Sequence, residues 1–311
     1  KDSPRAANVA KNIVIVYLVL SLLCCIAYWL CGMSLFEAIN HAMTTLSTGG
    51  FSTSDASLAH FSNSSQWVAS TFMFLGGLPF LLYVQTLRRR QLVLFRDAQV
   101  QGFFWLVVIT TLMMSLWIWY KGVFPLQDAI RISMFNIVSV LTTTGYGLTD
   151  FGIWSHFTTV LFIFLMLVGA CSGSTSGGMK IFRFQVASAL FQKQARQLMH
   201  PAGVFPQKYN GRPVSDHIIR SIVAFVLSYM AVIIVSSALL GMLGLPPLEA
   251  ISGSITAISN VGPGLGPVIG PLGNFASLPD AAKWILAFDM MLGRLEILTV
   301  AVLFLPSFWR N

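Results

Sequence analysis

Long apolar stretches alternate with short polar ones along this chain. Residues 12–31, 66–87, 98–120 and 221–243 carry no charged side chain, and neither does most of 154–179. Each matches or exceeds the roughly 20 helical residues that cross a bilayer core. A last apolar run, 284–308, is interrupted by Asp289, Arg294 and Glu296. Between paired runs lie amphipathic stretches of about a dozen residues, too short to span alone. A half-helix followed by extended polar chain is tolerated at membrane depth only where protein encloses it or it lines water. The pattern predicts segments that enter from one side and return to it; surface loops after interfacial helices are the competing reading.

These short segments repeat. The first reads LFEAINHAMTTLSTGGFSTSD from Leu35, the second LQDAIRISMFNIVSVLTTTGYGLTD from Leu126, the third LEAISGSITAISNVGPGLG from Leu248. Each has an acidic residue near its start and a Ser/Thr/Asn cluster ending on a glycine: Gly50, Gly145 or Gly262. The acidic residue precedes the glycine by 13 positions in the first and third copies and by 17 in the second, one helical turn more. The predicted order is span, short hairpin, span, three times over, in units at 1–97, 98–200 and 201–311.

Composition agrees with membrane residence: 55% of the 311 residues are hydrophobic and 10% charged, too few charges to cover a soluble protein. The net charge of +8 does not point to nucleic acid, because it is clustered. Arg88, Arg89 and Arg90, the stretch 180–220 and the two chain ends hold most of it, the signature of cytoplasmic loops. The opposite loops hold Glu37, Asp55, Asp128, Asp150, Glu249 and Asp280, an acidic outer face that would concentrate cations. Cys24, Cys25, Cys31 and Cys171 lie in or beside apolar runs and read as packing residues. His41, His60, His156, His200 and His217 lack metal-ligand spacing, and no nucleophile–base or paired-carboxylate set is visible. No enzyme activity and no cofactor are expected.

The second copy contains Thr143-Thr144-Gly145-Tyr146-Gly147, similar to a potassium-channel filter, whose backbone carbonyls replace the hydration shell of the ion. Glycine there permits dihedrals closed to other residues. The other copies read Thr48-Gly49-Gly50-Phe51 and Asn260-Val261-Gly262-Pro263. Only the glycine is common to all, so a looser filter is expected, with imperfect rejection of sodium.

On STGGFS, TTTGYG and SNVGPG the chain resembles the Trk/Ktr/HKT superfamily of cation transporters, and within it the TrkH-type pore subunits. The resemblance covers essentially the whole chain. It implies an all-α polytopic protein with span–pore-helix–span repeats around a central pseudo-fourfold cation pathway, taking up potassium across a bacterial inner membrane. It implies filter residues Thr48, Gly49, Gly50, Phe51, Thr143, Thr144, Gly145, Tyr146, Asn260, Val261, Gly262 and Pro263, with potassium as transported substrate. It also implies a homodimer bound to a cytosolic nucleotide-binding regulatory subunit of the TrkA type. Only three repeats are present, and the chain starts at Lys1 directly ahead of a span. The first repeat of the family pattern is therefore expected to be missing from this sequence. An alternating-access carrier of another solute, or an intramembrane enzyme, is the competing function; neither needs matching glycines in successive repeats.

After the second hairpin, 160–168 meets Gly169-Ala170-Cys171-Ser172-Gly173-Ser174-Thr175-Ser176-Gly177-Gly178, with helix expected to resume at 179–190. Such chain at membrane depth must line a cavity. The Walker spacing of a phosphate loop is absent, and small-residue helix packing is the other alternative. By resemblance this is an intramembrane gate, carried by Gly173, Ser174, Thr175, Gly177 and Gly178. Arg294 aligns with the same level: Leu75-Gly76-Gly77, Val168-Gly169-Ala170 and Leu292-Gly293-Arg294 correspond. A mid-membrane arginine faces a polar interior. It is either half of an ion pair with Glu296 or Asp289, or, by resemblance, a cavity charge that limits cation flux.

Overall fold

The computed structural model describes residues 3–89, 93–201, 203, 205–304 and 306–309. Arg90 of the basic triplet and the terminal Lys1 and Arg310 lie outside them. The chain is helical: α1 Ser3–Leu30, α2 Leu35–Leu46, α3 Asn63–Gly76, α4 Phe80–Arg89, α5 Val93–Arg96, α6 Ala98–Tyr120, α7 Leu126–Leu141, α8 His156–Val168, α9 Ile181–Met199, α10 Asp216–Met242, α11 Pro247–Ser259, α12 Asp280–Arg294 and α13 Ile297–Leu303. A two-residue ladder, β1 Lys208–Tyr209 with β2 Arg212–Pro213, folds back within the basic stretch.

Among the described helices, α1, α6 and α10 are long and apolar enough to cross a membrane. Their exposed faces carry Leu18, Leu22, Trp105, Ile109, Leu227 and Ile234, the face a lipid-embedded helix presents to acyl chains. Each is followed by a short helix that packs against it: α2 on α1, α7 on α6, α11 on α10. Start signals set the short helices. Ser34 and Glu37 form a reciprocal capping box at α2, Pro125 stands at the N-cap position of α7 in extended conformation, and Pro247 opens α11, where a missing N–H costs nothing. The two Ser34 donors hold the Glu37 carboxyl below the usual carboxylate range. The extra turn expected in the second copy is present, since α7 has 16 residues against 12 in α2 and 13 in α11.

The helices that follow are all interrupted, and at the triplets the sequence aligned. The α3–α4 pair bends by 83° across Gly77-Leu78-Pro79, where proline lacks the N–H a continuing helix requires. The run 66–87 is therefore no straight span. Helix α8 stops at Gly169 with φ +73, and α12 stops before Glu296 with φ +60. The break seats each helix against a short one. A side chain on Gly293 would strike the carbonyl of Ile258, and one on Gly76 would come within 3.3 Å of that of Leu46.

Helix α3 packs on α2 and also on α7, and α8 packs on α7 and also on α11. The first two broken elements thus bridge their own short helix to the next one. This places α2, α7 and α11 in succession around one axis, their C-terminal ends converging. One continuous core, with Tyr28, Leu46, Phe103, Phe135, Tyr146, Phe162, Tyr229 and Ile258, ties all three units together, and a smaller one around Leu240, Ile269 and Leu286 adds to the third.

The outer acidic set is only partly free. Asp128 pairs with Arg131, and Asp280 with Lys283. Glu249 is buried and accepts the Val268 amide at 3.2 Å. Cys24, Cys25, Cys31 and Cys171 are free thiols.

Candidate functional site

Beyond the C-terminus of each short helix the backbone repeats one unusual course. Thr48, Thr143 and Asn260 have φ of +53, +56 and +57. Two residues on, Gly50, Gly145 and Gly262 have φ of +68, +81 and +115. The residues between, Gly49, Thr144 and Val261, are not in that region. Alternating handedness over three residues turns successive carbonyls to the same side, as a carbonyl-lined ion path requires. A non-glycine residue with positive φ is uncommon; three at equivalent positions mark a repeated constraint.

The amides turn the other way, back to the helix that precedes them. Gly49 and Thr144 donate to Thr44 O and Ser139 O at 2.8 and 2.9 Å, and Val261 donates to Thr256 O at 3.0 Å. Side chains of the same three residues extend the hold. Thr44 Oγ1 donates to Phe51 O at 2.8 Å and Ser139 Oγ to Tyr146 O at 2.9 Å. In the third copy Thr256 Oγ1 instead accepts the Gly262 amide at 3.0 Å. Thr44, Ser139 and Thr256 were not singled out from the sequence. The available signal is position, because each lies four residues before Thr48, Thr143 or Asn260.

The three strands meet. A Cβ on Gly50 would overlap the Thr144 carbonyl, and one on Gly145 would overlap the Val261 carbonyl; one on Gly262 would lie 3.9 Å from Gly145 Cα. Nine of the twelve expected filter residues (Thr48, Gly49, Gly50, Thr143, Thr144, Gly145, Asn260, Val261 and Gly262) thus form three adjoining strands. Phe51 and Tyr146 differ, since their carbonyls are taken by Thr44 and Ser139. The Phe51 ring is exposed, and Pro263 follows Gly262 without an N–H of its own. Tyr146 is buried, and its hydroxyl shares hydrogen bonds with Thr44 Oγ1 at 2.6 Å and Thr45 Oγ1 at 3.1 Å. Tyr28 closes the chain at Thr45 Oγ1 with 2.8 Å. The strand 143–146 of the second unit is thereby pinned to the short helix of the first. Tyr146→Phe strands these hydroxyls and is expected to cost about 1–3 kcal/mol, read as a lower Tm of purified protein.

The segment 169–180 runs beneath the three strands and touches all three short helices. Thr175 Oγ1 donates to Leu46 O of α2 at 3.0 Å and to Gly76 O at 3.2 Å. The Gly177 amide donates to Thr143 Oγ1, just past α7, at 2.7 Å. The Gly178 amide donates to Ser259 O of α11 at 3.0 Å. Gly173 O accepts from Phe80 N at the α3–α4 break at 3.1 Å, and Ser174 Oγ donates to Cys171 O at 2.6 Å. The segment is anchored at each of these points, each bond contributing about 1 kcal/mol net. Helix resumes at Ile181, two residues later than expected, because Lys180 has φ +68.

Arg294 Nη1 donates to Thr175 O at 3.1 Å. Neither ion pair considered from the sequence forms. Glu296 binds Arg183 at 3.1 Å, and Asp289 accepts from Ser236 Oγ at 2.8 Å. Arg294, the loop, Lys180, Arg183 and Glu296 line a polar cavity of about 190 Å³ under the three strands. Three cations and one carboxylate give it positive charge, opposing a cation that arrives from above.

No cluster of His, Cys, Asp or Glu able to hold a metal occurs among the described residues.

A sequence profile of the TrkH family, described as cation transport protein, matches residues 1–311. The Trk system potassium uptake protein TrkI of Halomonas elongata is 48% identical over 313 residues, covering 100% of this chain and 63% of that relative. TrkH of Escherichia coli K12, named a Trk system potassium uptake protein, is 34% identical over 318 residues, covering 100% and 64%. The crystal structure of the potassium transporter TrkH from Vibrio parahaemolyticus matches with a TM-score of 0.92 at 32% identity, covering 98% of this chain and 66% of that one. The chain thus spans a little under two thirds of the length of these relatives. On the profile match and this shared all-α multi-pass fold, the chain belongs to the TrkH family of cation transport proteins.

Proposed function

We propose that this chain carries potassium into bacteria across the inner membrane, through a path lined by the carbonyls of 48–50, 143–145 and 260–262. The observation that carries this reading is the alternating backbone at the three aligned strands, with Gly50 and Gly145 each set against a carbonyl of the next strand. Carbonyl oxygens are hard ligands without full charge, suited to a large monovalent ion that must leave as readily as it enters. The names of the relatives support potassium as the substrate. Units 1–97, 98–200 and 201–311 act as successive pore repeats. The segment Gly173–Gly178 is the gate, and Arg294 holds it from below. The subunit works as a homodimer with a TrkA-like nucleotide-binding partner on the basic cytoplasmic side, and needs no cofactor of its own.

The third strand is held differently from the other two, through Thr256 Oγ1 on Gly262 N. It leaves the filter less uniform, and discrimination against sodium is partial. In vesicles carrying the protein, rubidium uptake is expected to fall measurably under excess sodium while remaining well above protein-free vesicles. Uptake that ignores sodium removes the loose-filter reading. Uptake of neither ion removes the transport reading.

A further inference from the structure

Two cavities outside the ion path meet at Arg183. One, of about 320 Å³, opens between the N-terminal turns of α9 and α10 and is lined by Ser172, Lys180, Arg183, His217 and Ser221, with no carboxylate. The other, of about 350 Å³, runs between α8, α9 and α10 and is lined by apolar side chains such as Leu167, Met179, Phe184, Val226 and Met230. Arg183 belongs to both.

Helix α10 supplies a polarity gradient along one stripe. Ile218 and Ile222 border the basic cavity, and Val226 and Met230 the apolar one, spaced by four and hence on one face. From Ile222 to Met230 is a rise of about 12 Å. Because 180–220 is the basic, cytoplasmic stretch, the charged cavity lies at the inner surface and the apolar groove at greater depth. Basic pockets between helices on the cytoplasmic side suit anionic headgroups.

The cations there have capacity to spare. Among the described residues the Lys180 ammonium makes no ion pair. Arg183 spends one N–H on Met179 O and one on Glu296 of its five, and its guanidinium lies 3.7 Å from the centroid of Phe225. Ser172 and Ser221 add hydroxyls that donate or accept.

We propose that these joined cavities hold one anionic phospholipid of the inner leaflet. Its phosphate sits among Lys180, Arg183 and His217, and an acyl chain lies along Val226 and Met230. Charge-assisted hydrogen bonds select the phosphate, and the groove selects a tail over a free anion. Lys180 also lines the cavity beneath the filter, so the bound phosphate offsets a charge on the ion route.

The test counts lipid retained by purified protein. Protein taken from bilayers of phosphatidylcholine and phosphatidylglycerol is weighed intact by native mass spectrometry. One phosphatidylglycerol per chain is expected to be kept in preference to phosphatidylcholine. His217→Glu is expected to lower that retention about tenfold, one charge contact being worth about 1.4 kcal/mol, while His217→Lys keeps or raises it. Val226→Trp fills the groove and lowers it too. Equal loss in the Glu and Lys variants, or retention indifferent to both, overturns the site. Displacement by inorganic phosphate, with Val226→Trp silent, overturns the lipid in favour of a bare anion pocket. Retention needs no transport, so its failure is separate from failure of the proposed function. The link to the gate does rest on that function: rubidium flux should rise with phosphatidylglycerol content in the wild type and not in His217→Glu, and a flux blind to lipid overturns that link.

Discussion

Gly145→Ala is expected to abolish selective uptake, whereas the same change at Gly262 weakens it. Two penalties coincide at Gly145. Its φ of +81 puts an L-residue in a region that costs roughly 1–2 kcal/mol. The added methyl would also overlap the Val261 carbonyl, one of the oxygens proposed to face the ion. Relief requires that carbonyl to turn away or the two strands to part, and either removes a ligand. Gly50 stands in the same relation to Thr144 O and should behave alike. A methyl added at Gly262 would meet only Gly145 Cα, at 3.9 Å, leaving conformational strain alone. Gly122, with φ +69 and open space around it, isolates that strain away from the pathway. The measurement is rubidium uptake with and without excess sodium for the alanine variants at 50, 122, 145 and 262. The order expected is loss of discrimination at 145 and 50, partial loss at 262, and wild-type behaviour at 122. A Gly145→Ala protein that still prefers rubidium shows that these carbonyls do not set selectivity.

Much of this arrangement was legible from residue order because the membrane restricts the alternatives. Uncharged runs of spanning length and short amphipathic segments between them admit few folds when each backbone group needs a partner. The matching glycines then located the strands. Periodicity does not encode what distant segments do to one another. Gln66–Leu87 looks continuous by hydropathy, yet Gly77 and Pro79 let it bend by 83°, and the bend supplies Phe80 N to Gly173 O. Glu249 looked like a surface charge and is buried against Val268. Thr44, Ser139 and Thr256 looked like ordinary helix residues, because their role depends on chain that folds back five residues later. Tyr146 was chosen for its carbonyl, but its hydroxyl makes the contacts with the first unit.

The three strands proposed to line the ion path and the segment below them share one set of helix ends. Leu46 O, Thr143 Oγ1 and Ser259 O each receive a hydrogen bond from 175–178, and each lies one or two residues from a filter strand or at its first residue. Helix C-termini carry partial negative charge, which favours a cation in the path above. The segment 175–178 caps the same ends from below. With 173–178 as the proposed gate, its release exposes those acceptors to a passing ion, and a variant in the loop is expected to alter discrimination as well as rate.

Arg294→Ala is expected to raise flux, and the structure assigns it two separable causes. The guanidinium places a full charge in the cavity under the filter. For a cation about 8 Å away at an effective dielectric of about 20, the repulsion is about 2 kcal/mol, or roughly thirtyfold in rate if it adds to the barrier. Arg294 Nη1 also donates to Thr175 O, and Thr175 in turn holds Leu46 O and Gly76 O. Removing the donor frees the loop at the residue that pins it to α2. Arg294→Gln keeps a side-chain N–H and loses the charge; Arg294→Lys keeps the charge with a single-point donor. If charge dominates, Gln matches Ala and Lys stays near wild type. If the hold on Thr175 dominates, Gln stays near wild type, and Thr175→Val, which keeps the carbonyl and loses the hydroxyl bonds, gains flux by itself. Rubidium uptake by the four variants, normalised to folded protein, separates the two. Unchanged flux across the series, with protein intact, removes Arg294 from the gate.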